Sequence, residues 1–118
     1  MKLSEIKSIL DAKVLTGQSD AELGDIDVQT GCGCDLLSDV LAFVKDRGIL
    51  LTGLINMQVV RTAEMMDISA ICFVRGKTPG GDIIDFALRR GIPVFTTDYP
   101  LFLACGRLYS SGLMNGAR

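Results

Sequence analysis

Ile49-Leu50-Leu51-Thr52, Ala70-Ile71-Cys72-Phe73-Val74 and Pro93-Val94-Phe95-Thr96 are three short apolar runs, each followed by a Gly- or Thr-marked turn and an amphipathic segment. Between Ile49 and Tyr109 one strand–turn–helix unit is therefore written three times. Its first helix is predicted over about Asn56–Met66, with Val59, Val60, Ala63 and Met66 inward. The second is predicted over about Gly81–Arg90, with Ile83, Ile84, Ala87 and Leu88 inward and Gly91 as its stop. The third follows Pro100, a favoured first-turn residue, and turns Leu101, Cys105 and Leu108 inward. Strands that alternate with helices imply a parallel sheet, and such sheets take ligands at the carboxyl ends of their strands. The expected fold class is α/β: a single domain, residues 1–118, with a mainly parallel sheet flanked by helices.

Outward from that core the pattern is looser. Ser4 is read as the N-cap of a short helix with Ile6, Ile9 and Leu10 on its apolar stripe. Lys13-Val14-Leu15-Thr16 reads as a brief strand and Gly17–Gly24 as a loop. Asp25-Ile26-Asp27-Val28-Gln29-Thr30 alternates polar with apolar, which predicts a half-exposed strand. Gly31-Cys32-Gly33-Cys34-Asp35 reads as a turn whose Asp35 caps the next helix. On that helix Leu36, Leu37, Val40, Leu41 and Val44 share a face. Gly48 stands where a left-handed C′ residue belongs, and the tail from Ser110 is expected to fray.

The bulk numbers narrow the function. At 118 residues the chain is long enough for a core, and 48% hydrophobic content with a mean hydropathy of +0.36 leaves apolar surface for a homodimer. A net charge of −2 and the absence of Trp argue against a nucleic-acid partner. The apolar runs are too short to span a membrane, and Met1–Glu5 has no signal-peptide character, so a cytoplasmic location is expected. Cys32, Cys34, Cys72 and Cys105 are then expected as thiols.

The run Ala87-Leu88-Arg89-Arg90-Gly91-Ile92-Pro93-Val94-Phe95-Thr96-Thr97-Asp98-Tyr99 resembles the last helix–strand segment of the DRTGG domain, and the likeness extends over roughly Val14–Leu108. The chain looks like a stand-alone member of that family. Gly53 stands where the family has the glycine before its Asp-Arg pair, with Leu54-Ile55 in place of the pair. Val74-Arg75-Gly76 stands at the Thr-Gly-Gly, of which Gly76 matches. Members serve as regulatory domains in some phosphotransacetylases and CBS-domain pyrophosphatases, and are similar in fold to the N-terminal domain of HPr kinase/phosphorylase. The resemblance implies a dimeric, nucleotide-regulated module.

The candidate ligand site is the rim of strand carboxyl ends: Thr52, Gly53 and Asn56; Arg75, Gly76, Lys77 and Thr78; Thr96, Thr97 and Asp98. Helix N-termini carry partial positive charge and Arg75 and Lys77 add full charges, so the rim favours an anionic small molecule such as a nucleotide. The same residue types are also ordinary turn and cap residues. Pro79-Gly80-Gly81 fits neither the dinucleotide nor the phosphate-loop pattern. A second candidate is Cys32 with Cys34, as soft metal ligands or as thiols of lowered pKa beside a helix N-terminus. With no histidine in the chain, no His-based acid–base pair is possible. The expected role is thus a non-enzymatic regulatory or ligand-binding homodimer without a cofactor. A thiol or metal sensor and a pure protein–protein interaction module are the alternatives.

Overall fold

A computed structural model describes residues 1–43 and 47–114. In chain order the elements are α1 (Leu3–Ile9), β1 (Lys13–Val14), α2 (Asp20–Gly24), β2 (Thr30–Gly33), α3 (Leu37–Phe43), β3 (Gly48–Thr52), α4 (Met57–Met65), β4 (Ala70–Phe73), α5 (Gly81–Arg89), β5 (Val94–Thr96) and α6 (Leu101–Ser110). They form one five-stranded sheet of order β1-β5-β4-β3-β2. β2, β3, β4 and β5 run parallel, and β1 pairs antiparallel with β5 at the far edge. The three repeated units are β3-α4, β4-α5 and β5-α6, as their apolar periodicity predicts.

The central strands β3 and β4 are buried at every position because both faces of the sheet are covered. On one face Leu50, Ile71, Phe73 and Val94 pack with Val40 of α3, Val59, Val60 and Ala63 of α4, and Ile83 and Ala87 of α5. On the other, Ile49, Leu51, Cys72 and Phe95 pack with Leu3, Ile6 and Leu10 from the α1 segment, Leu23 of α2, and Ala104 and Leu108 of α6. The α3, α4 and α5 helices lie side by side, whereas α6 crosses to lie over β2 and β3.

The ends of α1, α4, α5 and α6 follow one rule that the sequence shows only in part. Asp11, Asp67, Gly91 and Gly112 are all left-handed. The next residue in each case donates its N–H back to the helix: Ala12 to Lys7 O, Ile68 to Ala63 O, Ile92 to Ala87 O and Leu113 to Leu108 O, at 2.9–3.0 Å. These are Schellman caps, and each is followed by a buried apolar residue. Leu113 therefore belongs to the core, which corrects the expectation of fraying from Ser110.

Several readings of the first half change. Lys2, not Ser4, occupies the N-cap of α1, with Glu5 Oε1 accepting the Lys2 N–H at 3.1 Å. Gly17–Gly24 contains α2, started by a Ser19–Glu22 capping box. Asp25–Gln29 is not a sheet strand. Ile26 O and Val28 N bond instead to Leu3 N and Met1 O, so the alternation buries Val28 against α1. Gly31-Cys32-Gly33 is strand β2 rather than a turn, and Asp35 does not cap α3. Leu36 and Leu41 are exposed while Val40 is buried, so the apolar face of α3 is narrower than predicted; Val44 lies outside the described residues. Finally, Gly48 opens β3, and the left-handed residue before it is Arg47.

Candidate functional site

The carboxyl ends of β2, β3, β4 and β5 share one edge of the sheet, and the loops above them are tied together. Val74 N donates to Thr52 O at 3.1 Å, Thr97 N to Phe73 O at 2.9 Å, Gly76 N to Thr97 O at 2.8 Å and Arg75 N to Tyr99 O at 2.9 Å. Arg75 and Thr97 thus stand on the same edge, as a parallel arrangement demands.

Arg75 and Gly76 form the tip of the β4–α5 loop. Both have positive φ, +60° and +68°, and Lys77 N closes the turn on Val74 O at 3.2 Å. This is the pattern of a type I′ turn, which favours Asn or Gly at its first central position. An arginine there costs about 1 kcal/mol in backbone strain. The turn leaves Arg75, Gly76, Lys77 and Thr78 exposed, with exposed Asp98 beside them. A Cβ on Gly76 would lie 3.0 Å from Asp98 Oδ1, so glycine admits both the turn and this carboxylate.

The remaining rim residues bond within the chain. Thr52 Oγ1 donates to Asp35 Oδ1 at 3.0 Å and accepts from Leu54 N at 3.1 Å. Asn56 Oδ1 accepts from Val59 N at 3.1 Å, capping α4. Thr96 Oγ1 donates to Lys77 O at 2.7 Å. Thr97 is buried; its hydroxyl donates to Leu10 O at 2.6 Å and accepts from Tyr99 N at 3.3 Å. Gly53 is held from both sides: its N–H donates to Asp35 Oδ1 at 2.8 Å, and its carbonyl accepts from Lys77 Nζ at 2.9 Å. Asp35 is the rim residue that the sequence reading misses. Its position directly after the β2 strand is the only signal, and it is invisible while that strand is read as a turn.

The rim therefore carries two cations, Arg75 and Lys77, and two carboxylates, Asp35 and Asp98. Among the helices that begin along this edge, α4 is capped by Asn56. The first turns of α5 and α6 begin at Gly80 and Pro100 without a side-chain cap. Four surface cavities of about 200–550 Å³ are lined by residues outside the rim.

The cysteines separate. The pleat of β2 turns Cys32 and Cys34 toward the α3–α4 face, whereas Cys105 packs on the opposite face. Burial pushes the Cys32 thiol up to about 11 and the Cys72 thiol up to about 12, and raises Cys105 as well. The shift at Cys32 runs opposite to the lowering expected beside a helix N-terminus, because its strand position removes it from water. Cys34 Sγ donates to Leu36 O at 3.3 Å and accepts from Leu36 N at 3.4 Å. Among the described residues no group of three or more His, Cys, Asp or Glu side chains is placed to hold a metal.

Neither a family model nor a curated protein matches this chain. Among solved structures it is similar to the CBS and DRTGG domains of the regulatory region of Clostridium perfringens pyrophosphatase, determined with the activator diadenosine tetraphosphate. The TM-score is 0.73 at 19% identity over 93% of this chain and 46% of that one, so the chain spans under half the neighbour's length. The likeness is one of fold, in keeping with an α/β domain of the DRTGG/CBS-region type. Among the described residues no helix is long and apolar enough to cross a membrane.

Proposed function

We propose that residues 1–118 form a stand-alone DRTGG-like regulatory domain, related in fold to the N-terminal domain of HPr kinase/phosphorylase. It senses an anionic small molecule such as a nucleotide, works as a homodimer in the cytoplasm, and catalyses no reaction. The observation that carries this reading is the β4–α5 loop. A strained type I′ turn presents exposed Arg75 and Lys77 along the edge where α5 and α6 begin without side-chain caps. Backbone strain held at an exposed charged residue is a mark of functional positions. The nucleotide bound by the similar regulatory region supports the same ligand class.

Lys77 is poised to switch partners. Its ammonium now satisfies the Gly53 carbonyl, and a phosphate would compete for it with a full negative charge. Asp35 and Asp98 offset the two cations, so a ligand must bring enough charge, as a polyphosphate does, to prevail. Release of Gly53 would loosen the tie between the β3 and β4 loops and shift the population of rim conformations.

A thermal-shift titration with inorganic phosphate, mononucleotides and diadenosine tetraphosphate tests the reading. The polyphosphate is expected to raise Tm. Arg75→Ala with Lys77→Ala is expected to weaken binding by at least about 100-fold, from two lost charge-assisted contacts of roughly 1.5–3 kcal/mol each. No shift with any of these anions, or equal shifts in the double variant, would discard the site.

A second reading, an interaction module without a small ligand, is favoured by the exposed apolar side chains on α6, Phe102 at 91% above all.

A further inference from the structure

The two edges of the sheet are finished differently. β1 is two residues long and carries exposed Lys13, features that discourage strand addition. β2, at the other edge, has neither charge nor proline in Thr30-Gly31-Cys32-Gly33, and among the described residues no strand pairs with its outer side. In a parallel ladder alternate residues face the neighbouring strand. Thr30 N and Cys34 N both donate inward, to Arg47 O and Leu51 O. The outward N–H and C=O groups of β2 therefore belong to Gly31 and Gly33, which have no side chain to obstruct an approaching strand.

Apolar surface gathers around this edge on both faces of the sheet. α3 is the outermost helix on one face and α6 lies over β2 on the other. Of the eight exposed large apolar side chains among the described residues, five lie on or close to these helices away from α1: Leu36, Leu41, Phe102, Tyr109 and Met114. Beside the glycines a cleft of about 200 Å³ is walled by Cys105, Tyr109 and Met114. Phe102 and Tyr109, 91% and 59% exposed, offer on the order of 300 Å² between them at roughly 150–250 Å² per aromatic side chain. That is over a third of the roughly 800 Å² that a standard interface takes from each partner, before the other three residues and the strand are counted.

We infer that β2 is the dimer seam: two copies of this chain pair antiparallel through Gly31–Gly33 about a two-fold axis normal to the sheet, making one continuous ten-stranded sheet. The inference rests on the homodimer reading above and gives it a surface. The symmetry sets the register. Gly31 of one copy exchanges both N–H···O bonds with Gly33 of the other, and Cys32 lies opposite Cys32 in a non-hydrogen-bonded pair. Such pairs bring Cα atoms to about 4.5 Å, within the span that a disulfide bridges. The same axis sets α3 against α3 on one face and α6 against α6 on the other. Each patch then meets its own image, as an isologous contact requires.

Sedimentation velocity and diamide cross-linking of the full chain test the seam. Diamide accepts the two hydrogens as two thiols join, and mildly alkaline buffer offsets the raised Cys32 thiol. The expected result is a dimer whose linked peptides are Cys32–Cys32, with that link absent in Cys32→Ser. Tyr109→Lys with Met114→Lys, at exposed positions that leave the core alone, is expected to weaken the dimer at least tenfold. Gly31→Pro, which caps an outward N–H and spares the internal ladder, is expected to do the same, its fold checked by circular dichroism. A monomeric wild type would overturn the seam and the homodimer reading together. A dimer that persists in the lysine variant, or that forms without a Cys32–Cys32 link, would overturn the seam alone.

Discussion

The β1 edge is fastened by side chains, and the β2 edge is shaped by their absence. At β1, the strand offers little ladder, and Thr16 completes it: its hydroxyl accepts the buried Val94 N–H at 3.0 Å and donates to Gln18. Leu15 N adds a bond to Val94 O, and Thr97 ties the same region to Leu10. At β2, Gly31 and Gly33 let α6 settle close to the sheet. Leu113 Cδ2 lies 3.4 Å from where a Gly31 Cβ would be, and Cys105 Sγ fills the place of a Gly33 Cβ. One edge is specific because polar groups must meet, the other because space must stay empty. The two should fail in different ways.

The largest effect is expected at the empty space. Gly33→Ala drives a methyl into Cys105 Sγ and against Leu101, and should destabilise the fold by about 1–3 kcal/mol, read as a lower denaturant midpoint at unchanged slope. Adding Cys105→Gly should recover most of that loss, whereas a purely local backbone effect at Gly33 would show no coupling. At the fastened edge, Thr16→Val should cost about 1–2 kcal/mol, since the Val94 N–H is left buried without an acceptor. Thr16→Ser should be nearly neutral, and equal losses in both variants would mean that packing of the methyl, not the hydrogen bond, holds β1. The smallest effect belongs between the edges. Arg75→Asn suits the type I′ turn and should stabilise the fold by about 0.5–1 kcal/mol while weakening polyphosphate binding; a destabilised variant would show that the arginine makes contacts that outweigh its strain.

Legibility in the sequence follows the same division. From Ile49 onward each unit is strand, helix and cap in immediate succession, so local periodicity carries the parallel sheet and the rim on its carboxyl edge. Before Ile49 the signals are local but the partners are distant. Ser19 and Glu22 are a readable capping box inside what looks like a polar loop. The alternation of Ile26 and Val28 is a true signal of burial, yet it answers to α1 and not to the sheet. Gly-Cys-Gly-Cys looks like a turn by composition. Only the arrival of α6, some 70 residues later, explains why a strand should contain two glycines, and sequence spacing cannot express that. Asp35 escapes a sequence reading for the same reason, since its partners Thr52 and Gly53 are 17 and 18 positions away.

The antiparallel seat of β1 beside β5 also bears on the order in which the molecule comes together. β2, β3, β4 and β5 are neighbours in space in the order in which they are synthesised, so each can add to the growing sheet as it emerges. The amino-terminal arm is made before them all, yet its hydrogen-bonding partners Val94 and Thr97 lie 78 and 87 positions downstream of Thr16 and Leu10. Until β5 and α6 exist, α1 lacks Phe95, Ala104 and Leu108 of its core and β1 has no strand neighbour. The amino-terminal arm is consequently the last part of this domain to dock, although it is made before the strands that hold it.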